Sequence, residues 1–131
     1  MSRPDPIYLD CNATTPTAPE VLEAMLPVLR DLWGNPSSGH VYGQRAAAAI
    51  GHAREQVAEL LGCSADEVVF TSGGTESDNA AIFGVAEAAA DRRRHLVISS
   101  IEHPAVEQAC VRLERHGFGV SRVRPGPEGR V

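Results

Sequence analysis

The stretch "VVFTSGGTESDN", residues 68–79, combines features that bind anions. An apolar run ends in two consecutive glycines, and polar side chains then lead into the helical pattern "AAIFGVAEAAA". A helix that begins there leaves its first amides unpaired, and its dipole adds partial positive charge. Glycine lets an oxyanion approach the backbone, and hydroxyl donors lie beside it at Ser72, Thr75 and Ser77. The pattern predicts a phosphate site at this turn.

A simpler interpretation of the same turn is open as well. The two glycines would also allow a tight connection between a strand and a helix, with Ser72 as the N-cap. Neither of the familiar phosphate loops, GxxxxGK[ST] or GxGxxG, is present. Glu76 and Asp78 suit the positive end of a helix but would repel a phosphate placed beside them. A bound phosphate is therefore expected over the backbone of residues 73–75.

A second strand-to-helix junction, "VISSIEHPAV" at residues 97–106, contains His103. Pro104 fits the first helical position, which puts His103 at or near the N-cap, although histidine is a poorer cap than Ser, Asp or Asn. Ligands of parallel α/β sheets bind at the carboxyl ends of the strands, where both junctions lie. His103 could stack there on a flat cofactor or move a proton. A histidine that only hydrogen-bonds a loop carbonyl is the structural alternative.

The elements that must position these residues follow from residue spacing. The first half predicts an extended arm at 6–16, a helix at 17–33 with Thr17 as N-cap and Pro27 inside it, and a helix at 41–61 ended by Gly62. The second half predicts strands at 67–72, 95–100 and 118–125, with helices at 75–93 and 104–117. Strands that alternate with helices predict an α/β fold with a mostly parallel sheet.

Composition narrows the possible functions. A chain of 131 residues is at most one domain, and a formal net charge of -5 argues against a nucleic-acid-binding protein. The three cysteines form no CxxC motif, so neither a zinc site nor a disulfide framework is indicated, and Cys63 and Cys110 are interpreted as small core residues. No apolar segment suggests a signal peptide or a membrane span, and a cytoplasmic location is expected.

Four segments taken together resemble the cysteine desulfurases and selenocysteine lyases of the class V aminotransferase family, which use pyridoxal phosphate. The segments are "YLDCNATTP", "GNPSSGHVYGQRA", "VVFTSGGTESDN" and "SSIEHPAV". The resemblance implies the N-terminal part of a fold-type I transferase of the α/β class. Residues 1–62 would form its N-terminal arm and helices, and residues 63–131 the first part of the large cofactor-binding domain.

The resemblance also implies roles for particular residues. Gly74 and Thr75 would hold the cofactor phosphate, and His103 would stack on the pyridine ring and assist proton transfers. Asn12 and Asn35 would lie near the substrate entrance. The implied reaction, in a cytoplasmic homodimer, removes sulfur from L-cysteine and leaves alanine. The sulfur would pass as an enzyme persulfide to acceptor proteins for iron–sulfur clusters or modified tRNA.

The chain departs from the family in one decisive respect, because all twelve basic residues are arginine and none is lysine. The Schiff-base lysine and the sulfur-accepting cysteine of the family have no counterpart here. We therefore expect residues 1–131 to be a fragment of a larger enzyme, inactive alone, with an unpaired strand at 67–71. Other interpretations are a selenocysteine lyase or another class V aminotransferase, a non-catalytic remnant that keeps the phosphate turn, and a different phosphate-binding α/β protein.

Overall fold

The computed structural model describes residues 6–89 and 91–131, and the chain divides into two compact units, Met1–Val69 and Phe70–Val131. The elements, in chain order, are α1 (Pro19–Asp31), α2 (Val41–Leu61), a 3₁₀ turn (Ala65–Glu67), α3 (Gly74–Ala89), β1 (His95–Ser99), α4 (Pro104–Arg115) and β2 (Gly119–Val123). The prediction that the N-terminal arm and helices end at residue 62, where the large domain begins, stays a prediction.

In the first unit, α1 begins one residue later than its capping pattern predicts. The N-cap is Ala18, whose side chain makes no capping hydrogen bond, and the prediction of Thr17 as N-cap is wrong. Pro19 explains the shift, because proline is most favourable at the first helical position and so makes the preceding residue the cap. Pro27 lies inside the helix, as predicted, and none of the residues of α1 is buried.

The helix α2 agrees with its prediction at both ends. His40 is its N-cap and accepts a hydrogen bond from the Gly43 amide at 3.4 Å. Gly62 ends the helix in the left-handed conformation, with φ of 70°, which glycine adopts without steric cost. The 3₁₀ turn that follows is closed by a capping box between Ser64 and Glu67.

In the second unit, β1 and β2 pair in parallel, with His95 opposite Gly119 and Ser99 opposite Val123. The crossover between them is α4, as parallel pairing requires. Arg122 ties β2 to α4, since its guanidinium donates to the carboxylates of Glu107 at 2.7 Å and Glu114 at 2.9 Å. This bonding lowers the pKa of Glu114 and raises that of Arg122.

The core of this unit consists mainly of small side chains. The buried residues are Ala86, Ala105, Ala109, Cys110 and Leu113. Cys110 is completely buried, and burial raises the pKa of its thiol. Its interpretation as a core residue is confirmed, whereas Cys63 is exposed, so the same interpretation of Cys63 is wrong.

The strand predicted at 67–72 is wrong. Glu67 belongs to the 3₁₀ turn, and residues 68–71 form no ladder with any described residue. A strand is stabilised by a neighbour that accepts and donates its backbone hydrogen bonds, and the sheet described here has only β1 and β2. Val69 is 77% exposed, which agrees with the expected lack of a pairing partner for this segment.

Other apolar side chains are exposed too. Those on α1 include Val21, Leu22, Met25, Leu26, Val28 and Leu29. Exposed apolar faces of this extent are typical of surfaces that another chain segment covers. Among the helices described, none is long and apolar enough to cross a membrane.

The small core of the second unit leads to a stability prediction. Leu113 is 7% exposed, so Leu113→Ala should lower the free energy of unfolding by about 2–5 kcal/mol through lost burial and a residual cavity. Val85 is 69% exposed on α3, and Val85→Ala should change the free energy of unfolding by at most about 0.5 kcal/mol. Urea unfolding followed by circular dichroism measures both. Equal losses in the two variants would contradict this description of the core.

Candidate functional site

The N-terminus of α3 presents backbone amides that no other described residue uses. The first helical hydrogen bond runs from the Ser77 amide to the Gly73 carbonyl at 3.1 Å. The amides of Gly74, Thr75 and Glu76 have no acceptor among residues 6–89 and 91–131. These amides, together with the helix dipole, form the kind of surface that binds anions.

The two glycines of this turn are not explained by the turn itself. Neither Gly73 nor Gly74 has a positive φ, so the backbone conformation does not call for glycine. A Cβ built on either residue would meet no atom within 4 Å, so packing against the described residues does not call for it either. Neither the backbone conformation nor packing against the described residues therefore requires glycine here, and the space beside both residues is open.

Two of the three hydroxyl groups suggested for a phosphate are hydrogen-bonded to other described residues, and the third is not. Those of Ser72 and Ser77 bond within the turn, to Glu76 and to Thr71 respectively. The Thr75 hydroxyl has no partner in the described part of the chain. Of the hydroxyl donors that the sequence suggested for a phosphate, Thr75 is thus the one that the protein leaves available.

The carboxylate of Glu76 is bonded to Ser72. Its Oε2 accepts from the Ser72 hydroxyl and, at 2.8 Å, from the Ser72 amide. These two bonds, the hydroxyl first, lower the pKa of Glu76 below its ordinary value of 4.5. The carboxylate is therefore bonded at Ser72, which precedes the unpaired amides in the chain.

The N-terminus of α4 differs, because its first-turn amides are all in use. Pro104 has no amide hydrogen, and the Ala105 amide donates to Nδ1 of His103 at 3.1 Å. The amides of Val106 and Glu107 donate to the His103 carbonyl at 3.0 and 3.2 Å. The prediction that His103 is at the N-cap is confirmed. This helix end has no donor left for an anion, so the two junctions are not equivalent.

A groove between α3 and α4 brings the two junctions together. Its volume is about 470 Å³, within the range of pockets that hold small molecules. Thr75 and His103 both line it, whereas Gly74 does not.

A second cavity, beside β1, measures about 590 Å³, but neither Thr75 nor His103 lines it. The groove is therefore the one cavity of these two that both predicted site residues share.

Sequence reasoning missed several residues of the groove. They are Asn79, Phe83, Gln108 and Arg112. The Asn79 side-chain amide donates to the Thr75 carbonyl at 2.7 Å, and the Arg112 guanidinium lies 5.5 Å from the centre of the Phe83 ring. The spacing of Thr75, Asn79 and Phe83 at every fourth position places them on one face of a helix, and that signal could have found two of them.

Asn12 and Asn35, the predicted substrate-side residues, both belong to the unit Met1–Val69. Asn12 lies exposed in the turn at 11–13. Oδ1 of Asn35 accepts a hydrogen bond from the Ser37 amide at 2.9 Å, so this side chain shapes its own loop. Their role at a substrate entrance stays a prediction. No group of His, Cys, Asp and Glu side chains that could hold a metal ion occurs among the described residues.

Comparison with known proteins identifies the family. The sequence model of the class-V aminotransferases matches residues 7–131. The chain belongs to this family. The resemblance stated from the sequence motifs is thereby confirmed, and class-V aminotransferases depend on pyridoxal phosphate.

The relatives that it matches include proteins named cysteine desulfurases. The chain is 47% identical over 125 residues to cysteine desulfurase IscS of Dictyoglomus turgidum, covering 95% of this chain and 32% of the relative. It is 48% identical over 117 residues to the mitochondrial cysteine desulfurase of Drosophila melanogaster, covering 88% of this chain and 25% of the relative. The chain thus spans about a third or less of the length of these relatives.

Solved structures confirm the fold class. SspA in complex with cysteine superposes with a TM-score of 0.82 at 44% identity, over 90% of this chain and 34% of that one. DndA from Streptomyces lividans gives a TM-score of 0.79 at 40% identity, over 95% of this chain and 35% of that one. The α/β prediction, the N-terminal part of a fold-type I transferase, agrees with these similarities.

The hydrogen bonds of Glu76 lead to a prediction about acid pH. A carboxyl whose pKa is lowered on folding stabilises the folded state above its unfolded pKa, and this contribution is lost as the pH falls through the folded value. Ser72→Ala removes the hydroxyl, the larger cause of the shift, so the pKa of Glu76 should rise towards 4.5. Titration of the Glu76 side-chain carbon by NMR measures the change. An unchanged titration curve would show that the hydroxyl does not hold the carboxylate.

Proposed function

We propose that residues 7–131 form the cofactor-phosphate-binding part of a pyridoxal-phosphate-dependent cysteine desulfurase. The observation that carries the proposal is that the unpaired amides of α3 adjoin Thr75, and that Thr75 shares a groove with His103. The names of the similar proteins point to the same activity. The complete activity needs parts of the relatives that this chain does not span.

The residues present fit the cofactor. A phosphate ester requires several donors from one direction, and the amides of Gly74 and Thr75 with the Thr75 hydroxyl supply them. The lack of a Cβ at Gly74 leaves its amide open to a large oxyanion. A flat ring needs an apolar or aromatic surface, which His103 supplies at the second junction. When bound, pyridoxal phosphate supplies an electron sink for reactions at the carbon atoms of an amino acid.

Each residue then has a separate task. Thr75 and the α3 amides anchor the phosphate and so fix the cofactor in position. His103 covers the ring and excludes water from that side. Asn12 and Asn35 are proposed to lie on the substrate side.

The proposed reaction removes sulfur from L-cysteine and leaves alanine. The sulfur would pass as a persulfide to acceptor proteins for iron–sulfur clusters or thio-modified molecules, in a cytoplasmic homodimer. Among the matched structures, SspA was solved in complex with cysteine, which favours cysteine over selenocysteine. The chain has no lysine to bind the cofactor covalently, so we propose that the 131-residue chain alone does not turn over cysteine.

Binding of pyridoxal phosphate tests the site. Thr75→Val keeps the shape of the side chain but removes its hydroxyl donor. Because a hydrogen bond to a charged group contributes about 1.5–3 kcal/mol, the Kd should rise roughly 10- to 100-fold. Isothermal titration of the 131-residue chain with pyridoxal phosphate measures it.

A matched control is available at Thr17, an exposed threonine that precedes α1 in the other unit. Thr17→Val should leave the Kd unchanged. If Thr75→Val and Thr17→Val bind the cofactor equally well, the phosphate does not lie at the start of α3.

A chimaera tests the reaction. Residues 7–131 replace the matching N-terminal part of the Dictyoglomus turgidum enzyme, to which they are 47% identical. The chimaera should convert L-cysteine to alanine, measured by chromatography, whereas the 131-residue chain alone should form none. A chimaera that folds and binds pyridoxal phosphate but forms no alanine would contradict the proposed function, as would alanine formation by the chain alone.

A further inference from the structure

The hydrogen bond between the Ala105 amide and Nδ1 of His103 has a consequence for the chemistry of the ring. We infer that α4 fixes the tautomer of His103 so that Nε2 carries the ring proton, which makes His103 a hydrogen-bond donor to a ligand of the groove and not its general base. The identity of that ligand rests on the proposed function, whereas the tautomer does not.

The tautomer follows from the direction of the hydrogen bond. A backbone amide can only donate, so Nδ1 of His103 must be the acceptor, with its lone pair directed at the Ala105 nitrogen 3.1 Å away. A neutral imidazole has one proton for its two nitrogens. When Nδ1 accepts, the proton is on Nε2. In this state Nε2 can donate a hydrogen bond but has no lone pair with which to accept a proton.

No other amide of the first turn of α4 is available to donate to Nδ1 of His103. Pro104, at the first helical position, has no amide hydrogen that could approach the ring. The amides of Val106 and Glu107 already donate to the His103 carbonyl. The Ala105 amide, in a residue only 9% exposed, is thus the donor that remains for Nδ1. Loss of this bond would leave a poorly solvated amide unpaired, which is costly.

This changes the role predicted for His103 from the sequence. A general base at Nε2 would require the other tautomer, with a proton on Nδ1 that points at the Ala105 proton. The two donors would repel, and the N-cap of α4 would be lost. Ala105 is therefore a positioning residue, which acts on the groove through the ring of His103.

A second histidine cap in the same chain provides an internal comparison. His40 caps α2 through Nδ1, but its bond to the Gly43 amide is longer, at 3.4 Å. Because hydrogen bonds weaken with distance, the tautomer of His40 should be less strongly fixed. His40 does not line the groove that contains His103.

Nitrogen NMR of the ¹⁵N-histidine-labelled 131-residue chain, without cofactor and at a pH where the ring is neutral, tests the inference. His103 should show an unprotonated Nδ1 and a protonated Nε2. A protonated Nδ1, or the mixture of tautomers that an unconstrained ring shows, would overturn it. Because no cofactor is present, this result is independent of whether pyridoxal phosphate binds at α3.

Two variants separate the functions of the ring nitrogens. His103→Asn keeps an oxygen that can cap α4, so the equilibrium constant for unfolding should change less than about twofold. His103→Gln moves the polar group beyond the capping position and should raise that constant roughly fivefold. The equilibrium constants for unfolding of His40→Asn and His40→Gln should differ less from each other. Equal stability of His103→Asn and His103→Gln would show that Nδ1 does not hold α4, and would overturn the inference.

Discussion

Packing of α4 beside α3 through small side chains determines where the residues of the candidate site lie. Ala105 and Ala109 are almost completely buried, and both line the groove that Thr75 and Phe83 line from α3. Small residues let helices approach closely, so the distance between two helices depends on the side chains at their contact. With larger side chains at these positions, His103 would no longer face the same groove as Thr75.

The two helix N-termini have different roles in the proposed cofactor site. At α3 the amides of Gly74, Thr75 and Glu76 have no acceptor among the described residues, and the carboxylate of Glu76 is bonded to Ser72. At α4 every available first-turn amide is used, by the carbonyl and the ring of His103. One helix end therefore presents positive partial charge to an anion, and the other holds a flat ring in place. Neither property follows from the presence of a helix alone, because both depend on which amides have acceptors.

The sequence predicted the parts of this arrangement that are local. Gly62 and Gly117 end their helices, with φ of 70° and 83°, and Pro104 with His103 begins α4, because chain neighbours alone decide such features. It did not predict the state of residues 67–72, because a strand exists only with a partner and none is among the described residues. It also missed Arg112, whose position over Phe83 depends on how two helices pack.

The central claim is that a phosphate binds to the amides at the start of α3. Amide spectra of the ¹⁵N-labelled chain, recorded as pyridoxal phosphate is added, test it most directly. The account predicts the largest shifts at Gly74 and Thr75, and predicts that pyridoxal, which lacks the phosphate, does not produce them. Unchanged signals from both residues at saturating pyridoxal phosphate would contradict the account.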